Sequence, residues 1–136
     1  MTTLASPTTP STRQSLILAV MGAIFWFAAA LVVRWTAADW AGRDGPTALM
    51  FVLIVVSTPP LLWLGLKVAG LGRAHAEHAA TVMVGIAALL DALALTWFRA
   101  LYGIDPATVL AGAAAILWGA GVALVMGIVV GRRATL

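Results

Sequence analysis

The sequence of 136 residues contains no cysteine. This absence excludes disulfides, thiolate metal sites, cysteine nucleophiles and dithiol redox chemistry. Charge is also scarce: 10% of the residues are charged, whereas about 25% is usual in soluble domains. By contrast, 62% of the residues are hydrophobic, and a soluble domain of this size has too much surface to hide them. We therefore expect a membrane protein whose main partner is the lipid bilayer.

Several chemical motifs are missing as well. The sequence shows no phosphate-binding loop, nucleophile elbow or pair of catalytic carboxylates, so we expect no enzyme activity. The apolar segments contain no histidine, which argues against haem, and we expect no cofactor. His75, Glu77 and His78 could approach one metal ion, but a solvated loop is the favoured interpretation and no metal site is predicted. The net charge of +3 comes from scattered single residues, so no nucleic-acid partner is expected.

Four long apolar segments define the predicted fold. Residues 1–14 are rich in serine, threonine and proline and are predicted to be a disordered polar tail. Helices are predicted at about 15–37, 47–69, 79–99 and 106–131, each long enough to cross ~30 Å of hydrocarbon. A signal peptide cleaved after residues 28–30 is disfavoured, because the apolar run continues beyond them. The prediction is an all-α polytopic membrane protein with one domain, 15–133, of four transmembrane helices in an up-down bundle.

Basic residues predict the orientation of these helices. One side of the membrane would hold five lysines and arginines, and the other side three: Arg13, Lys67, Arg73, Arg132 and Arg133 against Arg34, Arg43 and Arg99. Cytoplasmic loops carry the excess of positive residues. We therefore expect both termini in the cytoplasm. Trp35, Trp40 and Tyr102 would then lie in the outer aromatic belt.

The fourth segment carries small residues at every fourth position. They are Ala111, Ala115, Gly119, Ala123, Gly127 and Gly131. This spacing places small side chains in one row, on which another helix can pack closely. The row could receive a helix of the same chain or a second copy of the chain.

Two prolines interrupt the second segment. Pro59 and Pro60 lack N–H groups, which predicts a kink near residues 55–57. The hydroxyls of Ser57 and Thr58 could donate to the carbonyls that lose their partners. The kink could simply shape the bundle, or it could act as a hinge beside a cavity.

Asp91 is the one acid within the apolar segments. Three alanines and a leucine share its helical face, which predicts that the carboxylate points into the bundle. Counting about 1.5 Å per residue places four hydrogen-bond donors at a similar depth. They are Trp26, Ser57, Thr58 and Trp118, with Arg34 further out as a possible counter-ion. We expect these residues to form a polar layer with Asp91.

Two functions fit this layer. In the first, the protein is a non-enzymatic membrane protein that acts by helix-mediated association, as a homo-oligomer or as a small subunit of a membrane complex. In the second, it is a small proton- or cation-coupled transporter, and Asp91 is the coupling acid. Small multidrug exporters are also four-helix chains of similar length, but they carry their essential glutamate in the first helix, where this chain has no acid.

Several stretches carry a family resemblance. FWFAAALVVRW (Phe25 to Trp35), the Pro59-Pro60 pair, LLDALAL (Leu89 to Leu95), Asp105-Pro106 and AILWGAGVAL (Ala115 to Leu124) together resemble a family of small four-helix bacterial membrane proteins classed as a domain of unknown function. The resemblance implies the four-helix layout, the placement of Arg34 and Asp91, and a bacterial inner (plasma) membrane. It implies no activity.

Overall fold

A computed structural model describes residues 8–136, and all regular structure in this range is helical. Helix α1 spans Thr12–Trp40, α2 spans Asp44–Ala69, α3 spans Ala76–Trp97 and α4 spans Pro106–Ala134. Short 3-10 turns at Arg73–His75 and Arg99–Leu101 lie on either side of α3. All four helices are long and apolar enough to cross a membrane. The prediction of an all-α chain with four long apolar helices is therefore confirmed.

Helix α1 begins three residues earlier than the predicted position 15. Ser11 caps it: the hydroxyl accepts from the Gln14 amide at 3.2 Å, and the Gln14 side chain accepts from the Ser11 amide at 2.9 Å. This reciprocal arrangement is a capping box. Residues 12–14 of the predicted tail therefore belong to α1, and residues 1–7 of that tail lie outside the described range.

The other helix ends also follow local backbone chemistry. Helix α2 stops at Gly70, whose φ of 68° is the left-handed conformation that glycine adopts without strain. Helix α4 starts after Asp105, whose side chain accepts from the amides of Ala107 and Thr108, with Pro106 at the first helical position. Both ends coincide with the predicted ones, whereas the end of α1, the start of α2, both ends of α3 and the end of α4 differ from the predicted positions by two or three residues.

The helices alternate in direction. Ser15 and His78 meet near the starts of α1 and α3, and Arg34 meets Ala100 near their ends, so α1 and α3 run parallel. The start of α1 also meets Gly70 at the end of α2. We call the end of the bundle that holds Thr12, Ala69, Ala76 and Ala134 the termini end, and the opposite end the distal end.

The packing order differs from the chain order. Helix α1 packs mainly on α2 and α3, and α4 packs mainly on α3 and α2. The consecutive helices α2 and α3 therefore lie diagonally across the bundle. This arrangement decides which side chains can reach Asp91.

The backbones of α1 and α3 make a close contact near the middle of the bundle. A Cβ added at Gly22 would lie 2.6 Å from the carbonyl oxygen of Met83 and 2.8 Å from its Cα. Met83 belongs to a buried cluster around Leu18 and Leu66 at the termini end, and a second buried cluster, the distal cluster, lies around Val33 and Ala94 at the distal end. Asp91 lies in α3 between the Gly22 contact and the distal cluster.

Candidate functional site

Asp91 lies inside the bundle with 7% of its surface exposed. The indole Nε1 of Trp26 donates to its Oδ1 at 2.7 Å, and the hydroxyl of Tyr102 donates to the same oxygen. The Trp26 indole also lies 3.1 Å from the Tyr102 hydroxyl oxygen. We call these three residues the Asp91 network. It joins α1, α3 and the connection before α4 through hydrogen bonds between side chains.

Local structure places both donors. Trp26 lies one turn after Gly22 on α1, so the close contact between α1 and α3 brings its indole to α3 at the level of Asp91. The 3-10 turn after α3 reverses the chain, and the amide of Tyr102 donates to the Arg99 carbonyl at 3.0 Å. Tyr102 is fully buried as a result. Its ring packs in the distal cluster while its hydroxyl reaches the carboxylate.

Two of the three aromatic residues predicted for the outer belt are buried: Tyr102 is fully buried and Trp40 is 4% exposed, whereas Trp35 is exposed. The prediction for Tyr102 is wrong because the turn after α3 directs its side chain into the bundle, and the prediction for Trp40 is wrong because its ring packs in the same distal cluster. The only sequence signal was the separation of eleven residues from Asp91, which is about three helical turns. That signal fails to locate the ring, because α3 ends at Trp97, before Tyr102 is reached.

The α2 hydroxyls lie outside the Asp91 network. Thr58 donates to the Ile54 carbonyl at 2.7 Å and Ser57 donates to the same carbonyl at 3.1 Å. Serine and threonine in helices commonly bond to carbonyls three or four residues earlier. In addition, α2 lies diagonally from α3, which keeps both hydroxyls from Asp91. The expected hydroxyl donors to Asp91 are therefore corrected to bonds within α2.

The same bonds bear on the proline pair. Pro59 and Pro60 remove the donors that would normally reach the carbonyls of Val55 and Val56. Both hydroxyls donate to the Ile54 carbonyl instead, which is one residue before Val55 and two before Val56, so they do not replace the donors that the prolines remove. Helix α2 continues through both prolines.

Trp118 and Arg34 also bond elsewhere. The Trp118 indole donates to the Phe51 carbonyl at 3.1 Å, and its ring stacks on the Phe51 ring with 5.3 Å between centroids. The Arg34 guanidinium donates to the carbonyl of Ala100. Trp118 therefore joins α4 to α2, and Arg34 joins α1 to the turn after α3. Of the predicted layer, the structure brings only Trp26 to Asp91.

The small-residue row of α4 faces helices of the same chain. A Cβ added at Gly127 would lie 2.6 Å from that of Ala80, and one added at Gly119 would lie 3.4 Å from a methyl group of Ile54. Ala115 and Gly131 are buried, and Ala111 and Ala123 are partly buried. The row therefore packs on α2 and α3 of the same chain.

The histidines of the α2–α3 connection contact the start of the chain. The His75 Nε2 lies 2.9 Å from the Thr8 carbonyl oxygen, and the His78 Nε2 lies 2.9 Å from the Ser15 hydroxyl. Between residues 8 and 136, the structure forms no group of three potential metal ligands. These contacts attach the start of α1 to α3.

Two grooves open on the outer surface. One lies between α2 and α4 and has a volume of about 490 Å³; Val55, Leu117, Trp118, Gly121 and Val125 are among its lining residues. The other, which we call the distal groove, has a volume of about 650 Å³ and lies between α1 and the end of α3. Trp26, Arg34 and Arg99 are among its lining residues.

Comparisons with known proteins supply no relative. No family model, curated protein or solved structure matches the chain. The function is therefore inferred from the geometry of the chain itself.

Proposed function

We propose that the chain is a multi-pass protein of the bacterial inner (plasma) membrane with both termini in the cytoplasm. The four long apolar helices support insertion. The excess of basic residues at the termini end supports the orientation, because cytoplasmic loops are rich in lysine and arginine. The family resemblance supports a bacterial source.

Within that membrane, we propose a non-enzymatic role through helix-mediated association, as an oligomer or as a small subunit of a membrane complex. The observation that carries this proposal is the closed Asp91 network. One carboxylate oxygen receives two donors from the protein itself, from α1 and from the connection before α4. These bonds hold α1, α3 and the connection before α4 together, and the outer helix faces are the surfaces through which the protein acts.

The outer face of α4 is the best surface for association. Helix α4 is the least buried of the four. In its most apolar stretch of 18 residues, 11% are buried, against 22% for α1, 22% for α2 and 28% for the span Arg73–Trp97 that contains α3. A Cβ added at Gly121, in the groove between α2 and α4, would meet nothing within 4 Å. Close approach at small residues drives helix association in lipid. The occupant that we propose is an apolar transmembrane helix.

A single substitution tests this surface. Gly121→Leu occupies part of the groove, and its Cβ meets nothing within 4 Å, so we expect a well-folded protein that associates less in native membranes. The measurement is subunit counting by photobleaching of a labelled protein in nanodiscs cut directly from the membrane. Gly85→Leu is the matched control, because Gly85 is an exposed glycine of α3 at which an added Cβ also meets nothing within 4 Å.

The same sample distinguishes the two forms of association. Co-purification of two differently tagged copies identifies an oligomer, and a single copy held in a larger particle identifies a subunit. If the wild-type protein is always a lone monomer, association is rejected. If Gly121→Leu and Gly85→Leu behave alike, the α4 surface is rejected.

A transporter with Asp91 as the coupling acid is the second candidate. The distal groove favours it, because Trp26 both lines the groove and donates to Asp91. If Asp91 couples transport, Asp91→Asn should abolish proton flux into liposomes while the protein still folds. If Asp91 is structural, Asn is tolerated because its amide oxygen still accepts hydrogen bonds. In that case Asp91→Leu destabilises the bundle by about 1–3 kcal/mol, the value of two interhelical bonds.

A further inference from the structure

The distal groove combines two cations with an apolar wall. Arg34 of α1 and Arg99 of the 3-10 turn after α3 both line it, and they are the charged residues among its described lining. Leu90, Leu93 and Trp97 of α3 form the wall. A surface with positive charge at one end and apolar side chains along its length suits a molecule that is anionic at one end and apolar at the other.

The two arginines belong to one local structure. The Arg34 guanidinium donates to the Ala100 carbonyl, so it lies against the turn that carries Arg99. A guanidinium has five N–H donors, and a bond to one carbonyl leaves donors for another acceptor. Both arginine side chains are exposed. Arginine binds phosphate through paired hydrogen bonds, and its hydration is weaker than that of lysine.

Exposed aromatic side chains indicate the level of the groove in the membrane. Trp35, Trp97 and Phe98 are 70%, 70% and 69% exposed, and all three lie at the distal end. Exposed tryptophans of membrane helices collect at the headgroup level. Arg34 and Arg99 are neighbours of these residues in the chain, so their side chains lie at the level where lipid phosphates are found.

We propose that the distal groove binds an anionic phospholipid of the surrounding bilayer. Its phosphate lies between Arg34 and Arg99, and one acyl chain follows Leu90 and Leu93 toward Trp26. Charge complementarity selects this occupant over a zwitterionic lipid, and the apolar wall selects it over a soluble phosphate. The site is separate from the α4 surface proposed for association.

Native mass spectrometry of the purified, delipidated full chain tests the charge. Phosphatidylglycerol and phosphatidylcholine with identical acyl chains are titrated separately, and we expect tighter binding of phosphatidylglycerol. A basic residue beside a bound anionic headgroup contributes about fivefold in affinity, so we expect Arg99→Gln to weaken phosphatidylglycerol binding about fivefold and the Arg34→Gln/Arg99→Gln pair about 25-fold. The matched control is Arg132→Gln/Arg133→Gln, which removes the same charge from the termini end and should leave binding unchanged.

A second pair of variants tests the acyl chain. Leu93→Trp fills the groove and should weaken phosphatidylglycerol binding. Leu53→Trp, at a residue of α2 that is 52% exposed and lies on the helix diagonal to α3, should not. Thermal unfolding of each variant verifies the fold. If the double arginine variant unfolds because Arg34 no longer bonds to Ala100, the single variant Arg99→Gln still tests the site.

Three results would overturn the proposal. The first is equal binding of the two lipids by the wild-type chain. The second is an equal effect of the two double arginine variants. The third is displacement of phosphatidylglycerol by millimolar glycerol 3-phosphate, which would identify a soluble phosphate as the ligand and exclude a role for the apolar wall.

Discussion

The hydrogen bonds to Asp91 contribute less free energy than it costs to place an aspartate in a transmembrane helix. Inserting an aspartate at the centre of a transmembrane helix costs about 2.5–3.5 kcal/mol, and one interhelical hydrogen bond returns about 0.6 kcal/mol on average. The bonds from Trp26 and Tyr102 therefore offset only part of the insertion cost. The apolar remainder of α3, with a mean hydropathy of 2.0 in its span, supplies the rest. The bonds act mainly by selecting the register of α1 against α3.

Tyr102→Phe tests this network at a single atom. The change removes the hydroxyl that donates to Asp91 and keeps the ring in the distal cluster, so we expect a loss of about 1 kcal/mol in the free energy of unfolding. Unfolding in mixed detergent micelles measures it. In an Asp91→Asn background the loss should be different, because residues in one hydrogen-bond network are not additive. An additive result would mean that the hydroxyl acts independently of Asp91.

Asp105 should make the start of α4 sensitive to acid. The Thr108 backbone amide and hydroxyl, together with the Ala107 amide, hold the pKa of the Asp105 carboxyl below its usual value. A pKa that is lower in the folded state means that the cap stabilises the protein above the unfolded pKa of about 3.9 and loses this effect as pH falls through the folded pKa. The melting temperature should therefore drop between pH 5 and the folded pKa.

Asp105→Asn is the control for this pH effect. Asparagine caps helices about as well as aspartate, and it does not ionise in this range. We expect near-normal stability at neutral pH and a smaller loss in acid. If the variant and the wild type lose stability in parallel, Asp105 is not the responsible group.

Among the helices, small residues determine how closely two backbones approach. Gly22→Ala places a methyl group against the backbone of Met83, which cannot move as a flexible side chain does. We expect a loss of about 1–3 kcal/mol in unfolding free energy, the usual cost of overpacking. Gly85→Ala is the control, because an added Cβ there meets nothing within 4 Å. Equal stability of the two variants would contradict the close contact between α1 and α3.

The extent of the helices was largely predictable, and the exceptions have local causes. Long apolar runs in lipid must form helices, because each backbone polar group needs an internal partner. The missed start of α1 had a sequence signal, since Ser11 and Gln14 have the spacing of a capping box. The composition of the tail favoured disorder. The capping box of Ser11 and Gln14 nevertheless starts α1 within the tail, at Thr12.

At the scale of the whole molecule, the orientation across the membrane can be measured directly because the chain has no cysteine. Gly45→Cys at the distal end and Gly72→Cys at the termini end introduce single thiols where an added Cβ meets nothing within 4 Å. In spheroplasts, a membrane-impermeant maleimide should label Gly45→Cys at once and Gly72→Cys only after permeabilisation. The cysteine-free wild type is the blank. The reverse order of labelling would reject the proposed orientation.

The polar layer was only partly predictable, because a depth count along a helix gives height and not direction. Ser57 and Thr58 were expected at the level of Asp91, but α2 lies diagonally from α3 and the hydroxyls bond within α2. Trp26 was also expected at that level, and α1 is a direct neighbour of α3. The order of helices around the bundle therefore decided which donors reach the acid.

The sequence alone determined that the chain forms four long apolar helices and that Asp91 lies within one of them. These properties depend on composition and on residues close together along the chain. Only the tertiary structure decided that Tyr102 donates to Asp91, that the α4 row packs within the chain and that Arg34 and Arg99 line one groove. Those features join residues from separate helices and turns. In lipid, which residues meet depends on the close fit of the helix backbones and on hydrogen bonding, because the hydrophobic effect does not draw helices together.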